Sequence, residues 1–180
     1  MKKVALILTV CLILGCFSGC SLVGNLIGNV AGDVVNDVMS SKTKSFTNKY
    51  FTFEGPSNMS DSSSQKEFQN FDIAYSNKDI GFIGIREARS DFSNGDTMTL
   101  EEYTQLIMQA NNMDKTVQSR EGKEPYQYFT YEATSEGLNF KYLGCTFETD
   151  DAFWFIQIYS LVSDFEQDTF LGYADTVKFQ

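Results

Sequence analysis

The chain of 180 residues carries 24 acidic residues against 14 basic ones, contains no histidine, and is 42% apolar and 14% aromatic. This length and apolar content are enough for one folded domain and exclude a fully disordered chain. An acidic surface argues against binding to nucleic acid, and the lack of histidine removes the commonest general base and zinc ligand. We therefore expect a protein without catalytic activity, without a metal site and without a cofactor.

Residues 1–19 have the three parts of a secretory signal peptide. Lys2 and Lys3 give a positive start, and residues 4–14 form an apolar run that is too short to cross a bilayer as a helix. Small residues and a cysteine follow, in the order Phe17-Ser18-Gly19-Cys20-Ser21. The pattern predicts export across the cytoplasmic membrane.

The segment that ends at Cys20 resembles the lipobox of bacterial lipoproteins. The resemblance implies that a diacylglycerol lipid is attached to the Cys20 sulfur and that cleavage then makes Cys20 the first residue. Phe17 departs from the pattern, and Cys16, after Ile13-Leu14-Gly15, is a second candidate for the lipidated residue. The lipid would hold the protein to the extracytoplasmic face of the cell membrane or of an outer membrane. In a host with two membranes, Ser21 would not retain it at the inner one.

Residues 20–45 are predicted to connect the anchor to the domain. A four-residue repeat runs through residues 22–39 and aligns Gly24, Gly28 and Gly32 along one side of a helix. This row resembles a glycine zipper and would allow an amphipathic helix to contact the membrane surface or a second helix. The alternative is a flexible tether, since each glycine costs a helix about 1 kcal/mol. Residues 40–45 are interpreted as a hinge.

Residues 46–180 have the alternating apolar pattern and the turn residues of an antiparallel domain. Seven segments are predicted to be strands: 50–54, 71–75, 80–88, 126–134, 138–148, 153–161 and 176–179. Residues 116–120 form a further short segment before the strand at 126–134. Thr99 with Glu102 forms a capping box that opens a helix ending near Asn111, and Ser163 with Glu166 forms a second one before a helix ending near Ala174. The predicted fold is α+β, with one antiparallel sheet and packed helices.

This order of elements resembles the PsbP-like fold, which is named for an extrinsic photosystem subunit and is shared by DcrB-like bacterial lipoproteins. The similarity covers residues 50–180 and depends on the strand that ends at Pro56, the helix midway, the meander with Phe153-Trp154-Phe155 at its centre, and the closing helix and strand. A tryptophan that usually follows the first proline is missing. The resemblance implies a binding or assembly module without catalysis.

A few residue groups could carry other chemistry. Residues 91–97 and Glu102 loosely match a calcium loop, but Gly95 lies one position early, which favours an ordinary turn. Asp150 and Asp151 are interpreted as exposed turn residues. Cys145 has no partner once the signal has been removed, and its apolar neighbours indicate a buried side chain. The aromatic residues between Phe153 and Tyr159 could line a pocket, although alternation favours core packing.

Three functional hypotheses follow. The first is a membrane-anchored scaffold or interaction module with an envelope protein as partner. The second is a module that binds a small ligand or a metal ion. The third is a hydrolase that uses carboxylates.

Overall fold

The computed structural model describes residues 42–135 and 137–180. In these ranges the chain forms two antiparallel sheets, with helices packed on them. The strands, in chain order, are β1 (Thr43–Thr47), β2 (Phe51–Pro56), β3 (Ser60–Asp61), β4 (Ile73–Ser76), β5 (Gly81–Ala88), β6 (Gln118–Glu121), β7 (Pro125–Ser135), β8 (Leu138–Glu148), β9 (Ala152–Leu161) and β10 (Lys178–Phe179). The helices are α1 (Leu100–Ala110) and α2 (Gln167–Ala174), and short 3-10 turns lie at Lys66–Phe68, Arg89–Asp91 and Val162–Asp164.

The larger sheet has seven strands in the order β3-β4-β5-β9-β8-β7-β6, and the smaller has three in the order β1-β2-β10. Strand β9 lies in the middle of the larger sheet, and its residues are buried from Ala152 to Ser160. Both faces of this sheet are therefore covered, in agreement with the near-continuous apolar sequence of β9.

One core lies between the two sheets and α2. There Phe53 of β2 stacks on Phe82 of β5 with ring centroids 4.0 Å apart, and Phe51 meets Trp154 of β9 edge to face at 5.3 Å. The other core lies under α1, where Tyr103 stacks on Phe153 at 4.6 Å. The resulting layers are α1, the larger sheet, and the smaller sheet with α2.

The capping box predicted at the start of α1 is confirmed. The Thr99 hydroxyl accepts from the Glu102 backbone N–H at 3.2 Å, and the Thr99 N–H donates to the Glu102 carboxylate at 2.9 Å. The helix then continues to Ala110, and Tyr103 and Ile107 on its inner face are buried. Local hydrogen bonding thus fixes where α1 begins.

Several predictions were wrong in detail. The α+β class, the antiparallel pairing and the two helices are confirmed, but the strands form two sheets rather than one. Residues 43–45, which we assigned to the tether and its hinge, belong to β1. The second capping box does not form, because Ser163 lies in a 3-10 turn where its hydroxyl bonds Asp164 and α2 starts only at Gln167.

Candidate functional site

The anchoring and contact residues predicted from the sequence lie outside the described residues. These are Cys20 with its alternative Cys16, and the glycine row Gly24, Gly28 and Gly32. They remain predictions. Within residues 42–135 and 137–180, neither helix is long and apolar enough to cross a membrane.

Cys145 of β8 lies in the core between the sheets and is completely buried. Burial raises the pKa of its thiol, because the charged thiolate would lose its hydration. The prediction of a buried side chain is confirmed. The aromatic side chains of β9 are also core residues, as alternation indicated: Trp154 packs on the smaller sheet, and Phe153, Phe155 and Tyr159 pack in the core under α1.

A cleft of about 660 Å³ runs along the outer edge of β7, and we call it the edge cleft. One wall is the chain segment that leaves α1, from Asn111 to Lys115, and the other is β7 from Thr130 to Ala133, with Lys141 beside it. Asn112 turns the chain at the end of α1 with a positive φ of 51°. The cleft has polar walls with charges of both signs, from Asp114 and Glu132 and from Lys115 and Lys141.

Asn111 is one of the residues that line this cleft. Its side-chain Nδ2 donates to the Ile107 carbonyl at 2.8 Å, which fixes the orientation of the amide. The Oδ1 atom is buried and has no hydrogen-bond partner among the described residues. A buried acceptor without a partner is costly, so this oxygen is an unsatisfied polar atom of a residue that lines the cleft.

A second cleft, of about 580 Å³, lies at the opposite end of α1, between the loop before the helix and the turn between β8 and β9. Arg89 organises it: its Nη1 donates to the carbonyls of Gly95 and Met98 at 2.7 and 3.1 Å, and its Nη2 contacts Glu148. The guanidinium also lies over the Phe153 ring at 4.3 Å. The loop compared with a calcium site is thus a turn whose carbonyl oxygens accept bonds from an arginine.

The paired aspartates Asp150 and Asp151 are both exposed, as expected. Asp151 forms an ion pair with Arg86 of β5 at 2.5 Å, and Asp150 lines the cleft. No group of three or more cysteine, aspartate or glutamate side chains in the described ranges is arranged to hold a metal ion.

Glu87 of β5 is the buried carboxylate of the core under α1. It is 7% exposed, and Tyr103 of α1 donates a hydrogen bond of 2.7 Å to its Oε2. Burial raises the pKa of Glu87 above its usual value, and burial together with the neighbouring carboxylate raises the pKa of the Tyr103 hydroxyl well above its own. The pair joins α1 to the sheet.

Asp175, just after α2, connects the helix to the hairpin of β6 and β7. Arg120 donates to it from Nε and Nη2, both at 2.7 Å, and the Tyr126 hydroxyl donates at 2.8 Å. The hydrogen bonds from Arg120 lower the pKa of the Asp175 carboxyl. Neither this group nor the Glu87–Tyr103 pair could be predicted from the sequence, because residues far apart in the chain form them and no local pattern indicates them.

No protein-family model matches the sequence, and no curated protein is significantly similar to it. The solved structure of the cyanobacterial PsbP protein CyanoP from Synechocystis superposes with a TM-score of 0.53 and 11% identity, over 82% of this chain and 98% of CyanoP. The domain has a PsbP-like fold. A crystal structure from Bacteroides thetaiotaomicron matches this PsbP-like domain with a TM-score of 0.54 and 10% identity, over 79% of this chain. That match spans about half of the Bacteroides protein, 49% of its chain.

Proposed function

We propose that the protein is an exported lipoprotein, held to a membrane by lipid on Cys20, and that its PsbP-like domain is a non-catalytic interaction or scaffold module of the cell envelope. The signal segment at residues 1–19 and the lipobox-like residues before Cys20 support the anchor. The same segment supports a location on the extracytoplasmic face of the cell membrane or of an outer membrane.

The observation that carries the proposal is how the domain uses its acids, bases and thiol. Glu87 accepts from Tyr103, and Asp175 accepts from Arg120 and Tyr126, in bonds that join one element to another. Cys145 is enclosed in the core with a raised pKa. Groups engaged in this way stabilise the fold, so the surface of the domain is better suited to binding than to chemistry.

The anchor can be tested by mass spectrometry of the full chain expressed in a bacterial host. The N-terminal peptide should begin at Cys20 and carry acyl chains. Cys20→Ser should abolish lipidation and move the protein to the soluble extracytoplasmic fraction, whereas the matched Cys16→Ser should stay on the membrane. Lipid on Cys16 would refute the assignment of Cys20, and an unlipidated wild-type chain would refute the anchor altogether.

The interaction role can be tested by photo-crosslinking in intact cells, with a photoreactive residue placed at single exposed positions of the full chain. A recurrent envelope protein, captured from a restricted set of positions, is expected. If no position captured a recurrent partner, the scaffold proposal would be rejected.

The two clefts support a second candidate function, the binding of a small ligand. The same hypothesis includes a metal ion, although the described residues contain no cluster of three or more ligating side chains. A thermal-shift screen of the protein against divalent metals and a metabolite panel tests it. A ligand present at about 100 times its dissociation constant adds about 2.7 kcal/mol, which raises Tm by several degrees. A reproducible shift would favour this candidate, and a flat panel would leave the interaction module as the better one.

A further inference from the structure

Among residues 42–135 and 137–180, only half of the outer edge of β7 is covered by another strand. Strand β6 pairs with the first part of β7, where Gln118 lies opposite Tyr128 and Glu121 opposite Pro125. The remainder of β7, up to Ser135, pairs with β8 on its other side. The edge cleft lies along this uncovered part.

The alternation of the β7–β8 ladder determines which backbone groups are exposed there. Ser135 and Leu138 flank a two-residue connection and are paired, which is the position of a hydrogen-bonded pair in such a hairpin. Hydrogen-bonded and non-hydrogen-bonded pairs alternate, so the N–H and C=O groups of Thr130, Glu132 and Thr134 point away from β8. In the described parts of the chain no hydrogen bond engages these groups.

The segment that could have covered this edge turns away from it. Continued in the same register, β6 would place Thr116 opposite Thr130, but β6 begins only at Gln118. Met113 and Val117 instead pack against the core under α1. Burial of these two apolar side chains draws the chain toward α1 and leaves the cleft beside the edge.

We propose that the edge cleft binds an extended segment of a partner protein, which adds as a strand to β7 opposite residues 130–134 and places a lysine or arginine beside Glu132. This inference rests on the proposed function, since it names the surface through which an interaction module would act. An added strand would satisfy the outward groups of Thr130, Glu132 and Thr134, and strand addition to a free edge is a recurring mode of peptide recognition.

Charge indicates what the added strand carries. Glu132 is exposed and forms no ion pair with any described residue. Its cross-strand neighbour Lys141 instead holds its ammonium group 5.0 Å from the centre of the Phe165 ring. Opposite charges on facing strands attract, so Glu132 favours a basic residue at the facing position. The formal charge of the whole chain, −10, favours a basic segment as well.

The probe for this site is a phage-displayed library of random dodecapeptides, selected on the full-length lipidated protein in detergent. Enriched peptides should alternate apolar and polar residues around a lysine or arginine. Glu132→Pro removes one outward N–H without removing a β7–β8 hydrogen bond, and proline is tolerated on a free edge. It should lower the affinity for an enriched peptide by about tenfold or more. Ser119→Pro, on the outer edge of β6, is the matched control and should change the affinity by less than about twofold.

A charge reversal tests the site without proline. Glu132→Lys should lower the affinity for a basic peptide by about tenfold. The same variant should raise the affinity for a version of that peptide in which glutamate replaces the basic residue. The proposal is overturned if no peptide is enriched, if enriched peptides bind both Glu132 variants as tightly as wild type, or if sedimentation shows that a second copy of the chain occupies this edge.

The outcomes separate this inference from the function on which it rests. If cross-linking in cells recovers a recurrent partner equally from wild type and Glu132→Pro, the interaction module stands and the edge site is rejected. If neither protein captures a recurrent partner, the proposed function itself fails.

Discussion

The Tyr103 hydroxyl donates a hydrogen bond of 2.7 Å to the Glu87 carboxylate in the core between α1 and the larger sheet. Glu87 is 7% exposed, and its burial raises its pKa above the ordinary value of 4.5. A carboxyl with a raised pKa binds its proton more tightly in the folded state than in the unfolded state. Its contribution to stability is therefore fully present below pH 4.5 and is lost as pH rises through the raised pKa.

Glu87→Gln should remove this pH dependence, because the amide oxygen still accepts from Tyr103 and carries no charge. We expect the variant to gain Tm relative to wild type at pH 7, and the difference to shrink as pH falls below 4.5. Thermal unfolding across this pH range measures it. Glu54→Gln, at an exposed position of β2, is the control and should show no such trend. A Tm difference between Glu87→Gln and wild type that did not depend on pH would contradict a raised pKa of Glu87.

Thr104 of α1 and Thr146 of β8 share a buried hydrogen bond of 2.6 Å, and their valine variants should differ. Thr104→Val leaves the Thr146 hydroxyl with only a long contact of 3.4 Å to the Gln127 carbonyl, so it should cost about 1–3 kcal/mol. Thr146→Val leaves Thr104 bonded to the Leu100 carbonyl at 2.8 Å and should cost less, about 0.5–1.5 kcal/mol. Urea unfolding measures both values. The double variant should lose less free energy of unfolding than the two single variants lose together. Strict additivity would argue against a shared hydrogen bond.

Gly81 of β5 makes room for the Tyr159 ring. A Cβ atom at this position would lie 2.2 Å from the ring, which is fully buried, so Gly81→Ala should destabilise the protein by about 1–3 kcal/mol. Gly172 is the matched comparison, because it lies inside α2 and a Cβ there would meet nothing within 4 Å. Gly172→Ala should stabilise the protein by about 0.5–1 kcal/mol. Changes of the same sign in both variants would count against this packing.

Asp175→Asn should weaken the contact between α2 and the β6–β7 hairpin. The ion pair with Arg120 is partly exposed, so solvent screens it. We therefore expect the variant to lower the free energy of unfolding by about 1–2 kcal/mol at neutral pH. Because the pKa of Asp175 is lowered, this stabilisation is present above its ordinary value of 3.8 and is lost as pH falls through the lowered pKa. The free energies of unfolding of wild type and variant, measured with a chemical denaturant, should therefore converge at acid pH. Tyr126→Phe, which keeps the ion pair, should cost less than Asp175→Asn.

Much of the larger sheet could be predicted from the sequence because its signals are local. The predicted strand at 138–148 has the bounds of β8, since turn residues mark both ends of a long alternating run. The start of α1 could be predicted for the same reason, as Thr99 and Glu102 satisfy each other's backbone groups within one turn. The burial of Cys145 followed from its apolar neighbours.

The second sheet could not be predicted in this way. Strand β1 has the sequence TKSFT, in which only Phe46 is buried, and it is a strand because β2 lies beside it. The predicted start of α2 was wrong. Phe165 packs edge to face on Phe170 at 4.9 Å, and the spacing of Ser163 and Glu166 does not indicate this contact. The edge cleft depends on where Met113 and Val117 pack, which tertiary contacts determine and the local sequence does not.

The smaller sheet has a consequence for how the protein matures. Its central strand β2 is bonded on one side to the last strand, β10, and the Glu54 N–H donates to the Thr176 hydroxyl across a separation of 122 residues. If the chain is exported as proposed and passes through a translocation channel in N-to-C order, the segment that includes Phe51 emerges long before its partner. Contacts of such sequence separation form slowly, so this half of the domain would stay open until nearly the whole polypeptide had passed, when a chaperone or protease could still reach it.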